Sequence, residues 1–212
     1  LDGKVWKWTL ATNTTTSQLL GSAKDAIGNA QPITTKIELG KIDSVPVLFF
    51  GTGKYLSVVD YATTSIQSVY GIKDNNTDNG VFRSNSNIVK QTMSTSGINS
   101  TSTNNTVDWS SKIGWFFDLT SQSGERVSID SILALGTLNV VSNVPATNAC
   151  TAGGNAWIYQ IDFASGGAVK PSTIVGKKFT GGLVVGQILV RLSGSGKILN
   201  LLTDSSGSVI PY

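Results

Sequence analysis

The chain has 212 residues, enough to bury about 70% of its unfolded surface in one large all-β domain or two small ones. Only 14% of residues are charged and the net charge is +3, with no run of Lys or Arg beyond Lys177-Lys178, so the concentrated basic face of a nucleic-acid binder is missing. The absence of histidine excludes His-based acid–base and nucleophile pairs, and the single Cys150 excludes an internal disulfide and a thiolate metal site. Cys150 is therefore either a small buried residue or a partner for a segment outside the chain. There is no apolar run of 18 residues to span a membrane, and no signal peptide.

Gly, Ser, Thr and Asn take the place of charge, and β-branched residues outnumber strong helix formers, a composition suited to strands and tight turns. The first strand-like unit is Val5-Trp6-Lys7-Trp8-Thr9-Leu10; because it begins so close to Leu1, the sequence reads as a piece whose export signal lies upstream. Ile33 to Leu39 alternates partly, and Val45 to Phe50 is a short apolar run of the kind buried on both faces. Gly51-Thr52-Gly53-Lys54 has a phosphate-loop flavour, but Tyr55 follows the Lys and no helix follows, so a glycine kink between strands is expected. Ser68 to Ile72 is the next strand.

Residues 73–112 read as a long polar loop insertion with one short strand near Ile88, because so few apolar anchors cannot offset the ordering entropy. Within it, Asp74, Asn76 and Asp78 stand at alternate positions before Asn79-Gly80, like the start of a calcium loop. The Gly falls one residue late and position 12 falls on Asn85, so a polar turn is the competing reading. Trp109 is an aromatic inside this polar stretch, either a ligand-contact candidate or a pin that holds the loop to the body.

The leading unit recurs as Gly114-Trp115-Phe116-Phe117-Asp118-Leu119 and as Ala156-Trp157-Ile158-Tyr159-Gln160-Ile161-Asp162. In each, a Trp is followed two residues later by a second aromatic, which places both rings on one strand face, ready to pack sheet on sheet. Trp115 and Trp157 are 42 residues apart, close to one four-stranded propeller blade. Arg126 to Leu135 reads as a strand, and Gly186 to Leu192 with Lys197 to Thr203 as a hairpin around Ser193-Gly194-Ser195-Gly196. Asp118, Glu125 and Asp130 are the acids closest in sequence; they are expected at turns and strand ends, with Glu125-Arg126 solvated or locally paired, and no catalytic residue is assigned.

Several of these segments together resemble the C-terminal propeller of the PilY/PilC family of type IV pilus tip-associated adhesins. They are Leu1 to Trp8, Phe50 to Leu56, Ser65 to Ile72, Gly114 to Leu119, Gly124 to Val127, and Cys150 through Gly153-Gly154 to Trp157. The ordered series is specific, although no one motif is. Lys73 and Ser131 depart from the family pattern, which has an aromatic and a Pro at those places, and the insertion after Asp74 is particular to this chain.

The resemblance implies an all-β, β-propeller-like domain of which residues 1–212 form about half, on a secreted bacterial protein at the cell surface near the pilus tip. It also implies roles in pilus biogenesis, retraction control and adhesion. The implied partners are minor pilins or other pilus proteins, the upstream part of the same protein, and a host or abiotic surface. Some members bind calcium in an Asp- and Asn-rich loop, which would precede the strand matching Leu1 to Leu10 and so lie outside this chain. The alternatives are a quinoprotein-like propeller enzyme, whose calcium and catalytic Asp constellation is missing from the sequence, and a secreted scaffold that binds another protein.

Overall fold

A computed structural model of the chain describes residues 1–10, 14–146, 153–194 and 196–212. The expectation for Cys150 lies outside the described residues. The chain builds strands β1 (Lys4–Leu10), β2 (Thr15–Ser22), β3 (Glu38–Ile42), β4 (Val45–Gly51), β5 (Ser68–Lys73), β6 (Ile88–Gln91), β7 (Met93–Ser96), β8 (Asn99–Ser102) and β9 (Gly114–Asp118). They are followed by β10 (Arg126–Val127), β11 (Ile132–Ala134), β12 (Thr137–Pro145), β13 (Gly154–Asp162), β14 (Ile174–Phe179), β15 (Val184–Arg191), β16 (Ile198–Asp204) and β17 (Val209–Pro211). Only two short 3-10 turns, Val58–Ala62 and Phe82–Ser84, interrupt the strands among the described residues, so the all-β expectation holds.

The strands form four sheets that follow chain order except that the β7-β8 hairpin, which precedes β9, joins the third sheet. The first is the β1-β2 hairpin. The second is β3-β4-β5-β9 with β6 added parallel to β9. The third runs β10-β12-β13-β14, with β11 also on β12 and with the β8-β7 hairpin added beyond β14. The fourth is β15-β16-β17.

Period-2 alternation explains how the sheets stack. Along β4, β5 and β9, Val47, Phe49, Val69, Trp115 and Phe117 face one way and Phe50, Tyr70, Ile72 and Phe116 the other. The first set meets Leu138, Val140, Trp157, Tyr159 and Ile161 of β12 and β13 in the central core. The second meets Val5 and Leu20 of the first sheet. On the far face of β12 and β13, Val141, Ala156 and Ile158 meet Val184 and Leu202 of the fourth sheet. Both middle sheets are thus buried on two faces, which is why their strands carry nearly continuous apolar runs. At about 25 cal/mol per Å², rings of 150–250 Å² make the Trp115, Phe117, Trp157 and Tyr159 cluster the largest single apolar contribution. The Phe117 and Tyr159 centroids lie 6.0 Å apart, with the rings tilted across the seam between the two sheets.

Several expectations are corrected. The aromatics of the second and third Trp units are buried between sheets, but Trp6 and Trp8 are 48% and 64% exposed. The second sheet packs on one face of the first, and alternation along β1 turns Val5 and Lys7 toward it and both indoles away. The expected 33–39 strand is displaced to Glu38–Ile42, and 126–135 is split into β10 and β11. The 73–112 insertion is more ordered than its composition suggests: beyond the strand near Ile88 it contains β7 and β8.

Candidate binding surface

The insertion is held by polar side chains. Gln91, fully buried, donates through Nε2 to the carbonyls of Asn105 (2.8 Å) and Ser165 (2.7 Å) and accepts through Oε1 from Thr103 Oγ1 (2.8 Å) and Asn105 N (2.9 Å). These bonds add to a few apolar anchors, Phe82 and Trp109 being buried in the core. Trp109 is buried in the central core, its Nε1 donating to Ala164 O at 2.9 Å, and Lys73 Nζ donates to the Trp109 carbonyl. Of the two roles open to Trp109 from the sequence, the contacts formed are those of the pin.

The three candidate calcium ligands separate. Lys7 Nζ donates to Asp74 Oδ2 and Asn76 Oδ1, each at 2.7 Å, so an ammonium group occupies the position between these oxygens. Asp78 Oδ1 instead accepts from Gly80 N at 2.8 Å, closing its own turn. The structure therefore brings Asp74 and Asn76 together, without Asp78, and the pair as placed fits a monovalent ammonium. No group of three or more His, Cys, Asp or Glu side chains converges among the described residues.

The acids nearest in sequence also have separate partners. Asp118 takes a bidentate pair from Arg83 Nη2 (2.9 and 2.8 Å) with Lys90 Nζ at 3.3 Å. Asp130 Oδ1 accepts from Lys36 N at 2.8 Å. Glu125 and Arg126 are neither solvated nor paired with each other, because successive side chains on an extended strand point to opposite sides and here both sides are packed. Glu125 is buried, and its Oε1 accepts from Tyr159 Oη and Ser142 Oγ, each at 2.6 Å. Its Oε2 accepts from the backbone N–H of Ser121 at 3.1 Å. Burial pushes the Glu125 carboxyl above its usual range against these hydrogen bonds, and burial likewise raises Tyr159, with the Glu125 charge adding to it.

Arg126 organises the connection between β4 and β5. Its guanidinium, lowered in pKa chiefly by burial, donates to backbone carbonyls: Gly124 (2.8 Å), Lys54 (3.3 Å), Thr63 (2.6 Å) and Asp60. Asp60 in turn accepts from the N–H groups of Leu56 (2.9 Å) and Ser57 (3.0 Å) and pairs with Lys54 Nζ at 3.1 Å. The Leu56 hydrogen bond leads in holding the Asp60 carboxyl down at about 2. The Gly51-Thr52-Gly53 stretch is the expected glycine kink: a Cβ on Gly51 would lie 2.4 Å from Val127, and Gly53 has φ +142° against Arg126. The loop thus sits directly on β10. Beside it is a cleft of about 320 Å³ whose lining includes Pro32, Lys54, Thr63, Ser65, Gln67 and Arg126. Sequence reasoning missed this loop, although the lone charge of Asp60 among apolar residues was a usable signal for a buried anchor.

Four stacked, mainly antiparallel sheets and a hydrogen-bonded loop laid on β10 define the chain as an all-β assembly of sheets. The chain is 30% identical over 193 residues to a type IV pilus biogenesis factor PilY1 homolog from Xylella fastidiosa (strain Temecula1 / ATCC 700964). The alignment takes in 79% of this chain and 13% of that protein, so the chain spans about an eighth of its relative's length. Over this region the chain is similar to a PilY1-type protein, in line with the resemblance carried by the ordered series of motifs. No family model and no solved structure matches it.

Proposed function

We propose that the chain is a non-catalytic binding region of a type IV pilus-associated protein, acting in pilus biogenesis, control of retraction and surface adhesion. The observation that carries this reading is the 30% identity to the PilY1 homolog over 193 residues. The dispersal of Asp118, Glu125 and Asp130 onto separate structural partners supports a binding role over a catalytic one.

In this proposal the four sheets are consecutive blades of a propeller. The exposed faces bearing Trp6 and Trp8 at one end, and Ile188 and Val209 at the other, pack against further sheets of a longer polypeptide. The protein is secreted, and its partners are minor pilins and the surface to which the cell attaches. In-frame deletion of this region from the parent gene should reduce surface piliation, twitching and attachment together. Unchanged behaviour in all three would overturn the reading, and pull-down with minor pilins would separate a pilus partner from another secreted one.

A further inference from the structure

The connection between β4 and β5 exposes aliphatic side chains on a rigid base. Leu56, Val58 and Val59 are 70%, 76% and 70% exposed, whereas the adjoining Asp60 is buried. Exposed aliphatics are ordinary when scattered, but three within four residues form a tip.

Much of the backbone around this tip is satisfied from within. Leu56 N and Ser57 N donate to the Asp60 carboxylate, Asp60 N donates to Ser57 O at 3.0 Å, and Thr63 N donates to Asp60 O at 3.1 Å. The carbonyls of Lys54, Asp60 and Thr63 accept from Arg126. Asp60 is the only Asp, Glu, Lys or Arg between residues 55 and 66, and its charge is turned inward onto Lys54. The segment can therefore enter a medium of low polarity without stripping water from a charge or from these backbone groups, the main obstacle to placing an irregular loop there. At the base stand Tyr55, 41% exposed, and the Lys54 side chain, 43% exposed, an aromatic and a cation of the kind that settle at the headgroup level of a bilayer.

We infer that the 54–63 loop is a lipid-contacting tip in which Leu56, Val58 and Val59 enter the acyl boundary of a phospholipid surface while Lys54 and Tyr55 lie among the headgroups. A lipid surface fits better than a protein groove because Leu56, Val58 and Val59 carry no hydrogen-bonding group with which to select a shaped partner, and the half-exposed Lys54 cation beside them complements anionic headgroups.

The test is flotation of the protein carrying this whole chain with vesicles of phosphatidylcholine alone and of phosphatidylcholine with phosphatidylglycerol. The wild type should float with both, and more strongly with the anionic vesicles. The L56S/V58S/V59S variant should lose on the order of tenfold in partitioning for each aliphatic removed, with an unchanged thermal transition because none of the three is buried. Failure of the wild type to float with either vesicle would overturn the inference, as would equal flotation of the variant. Either result leaves the pilus reading standing, since that rests on the deletion phenotype.

Discussion

Glu125, just ahead of β10, and Tyr159 of β13 share a 2.6 Å hydrogen bond within the third sheet, with Ser142 Oγ of β12 on the same carboxylate oxygen. Among the described residues no cation is in hydrogen-bonding contact with this buried carboxyl, and burial raises its pKa. Folding therefore favours its protonated form. The contribution to stability is fully present below the ordinary glutamate range and is lost as pH rises through the raised folded-state value. Chemical denaturation from pH 4 to pH 8 should show this loss in the wild type, and Glu125→Gln should abolish it while keeping a group that can bond Tyr159. Glu125→Ala, which leaves Tyr159 Oη and Ser142 Oγ short of an acceptor, should cost about 1–3 kcal/mol. A wild-type profile parallel to that of Glu125→Gln would show that the site does not titrate on unfolding.

Asp60 has the opposite sign. Its carboxyl is held at about 2, first by the Leu56 N–H, so its contribution is present above the ordinary aspartate range and lost as pH falls through about 2. The amide resonances of Leu56 and Ser57 should titrate together at that low pH, followed by NMR. Arg126→Met should remove the donors to the Lys54, Asp60 and Thr63 carbonyls and speed proteolytic cleavage between residues 54 and 63. Rates equal to wild type would show that Arg126 does not hold the loop.

The indole of Trp115 illustrates how much of the fold was legible. Its i, i+2 pairing with Phe117, repeated as Trp157 and Tyr159, identified two strand faces that do meet in one core. The same spacing in Trp6 and Trp8 led to exposed rings, because a period-2 pattern reports which side chains share a face and not whether another sheet covers it. The order in 73–112 was hidden for a different reason. Gln91 stabilises it through four hydrogen bonds to partners up to 74 residues away, and no local propensity encodes those. At the candidate site, the D-x-N-x-D spacing was visible, but the ammonium of Lys7, supplied from 67 residues earlier, was not.

Trp115 also defines a packing limit. A Cβ added to Gly71 on the paired strand would lie 2.6 Å from the ring at Cε2. Gly71→Ala should therefore overpack the seam and cost about 1–3 kcal/mol, whereas Trp115→Ala should cost about 3–5 kcal/mol through the cavity left behind. Both are read by urea denaturation. A neutral Gly71→Ala would mean that the indole shifts freely in its slot.

Lys7 bears on calcium in the same way that a bound ion would. Its ammonium satisfies Asp74 Oδ2 and Asn76 Oδ1 from a partly exposed position, and a divalent ion would have to displace it and also recruit Asp78 from the Gly80 N–H. Calcium takes six to eight oxygens, more than the two that Lys7 now holds, and Asn85 offers no bidentate carboxylate at the loop's twelfth position. Calorimetric titration of the wild-type chain with calcium should therefore give no binding heat from this turn. Lys7→Met should lower stability by less than about 1 kcal/mol, as expected for a partly screened ion pair, and should uncover only weak calcium binding. A strong exothermic isotherm from the wild type, lost in Asp74→Asn, would instead show that the turn rearranges around the metal and that Lys7 is a placeholder for it.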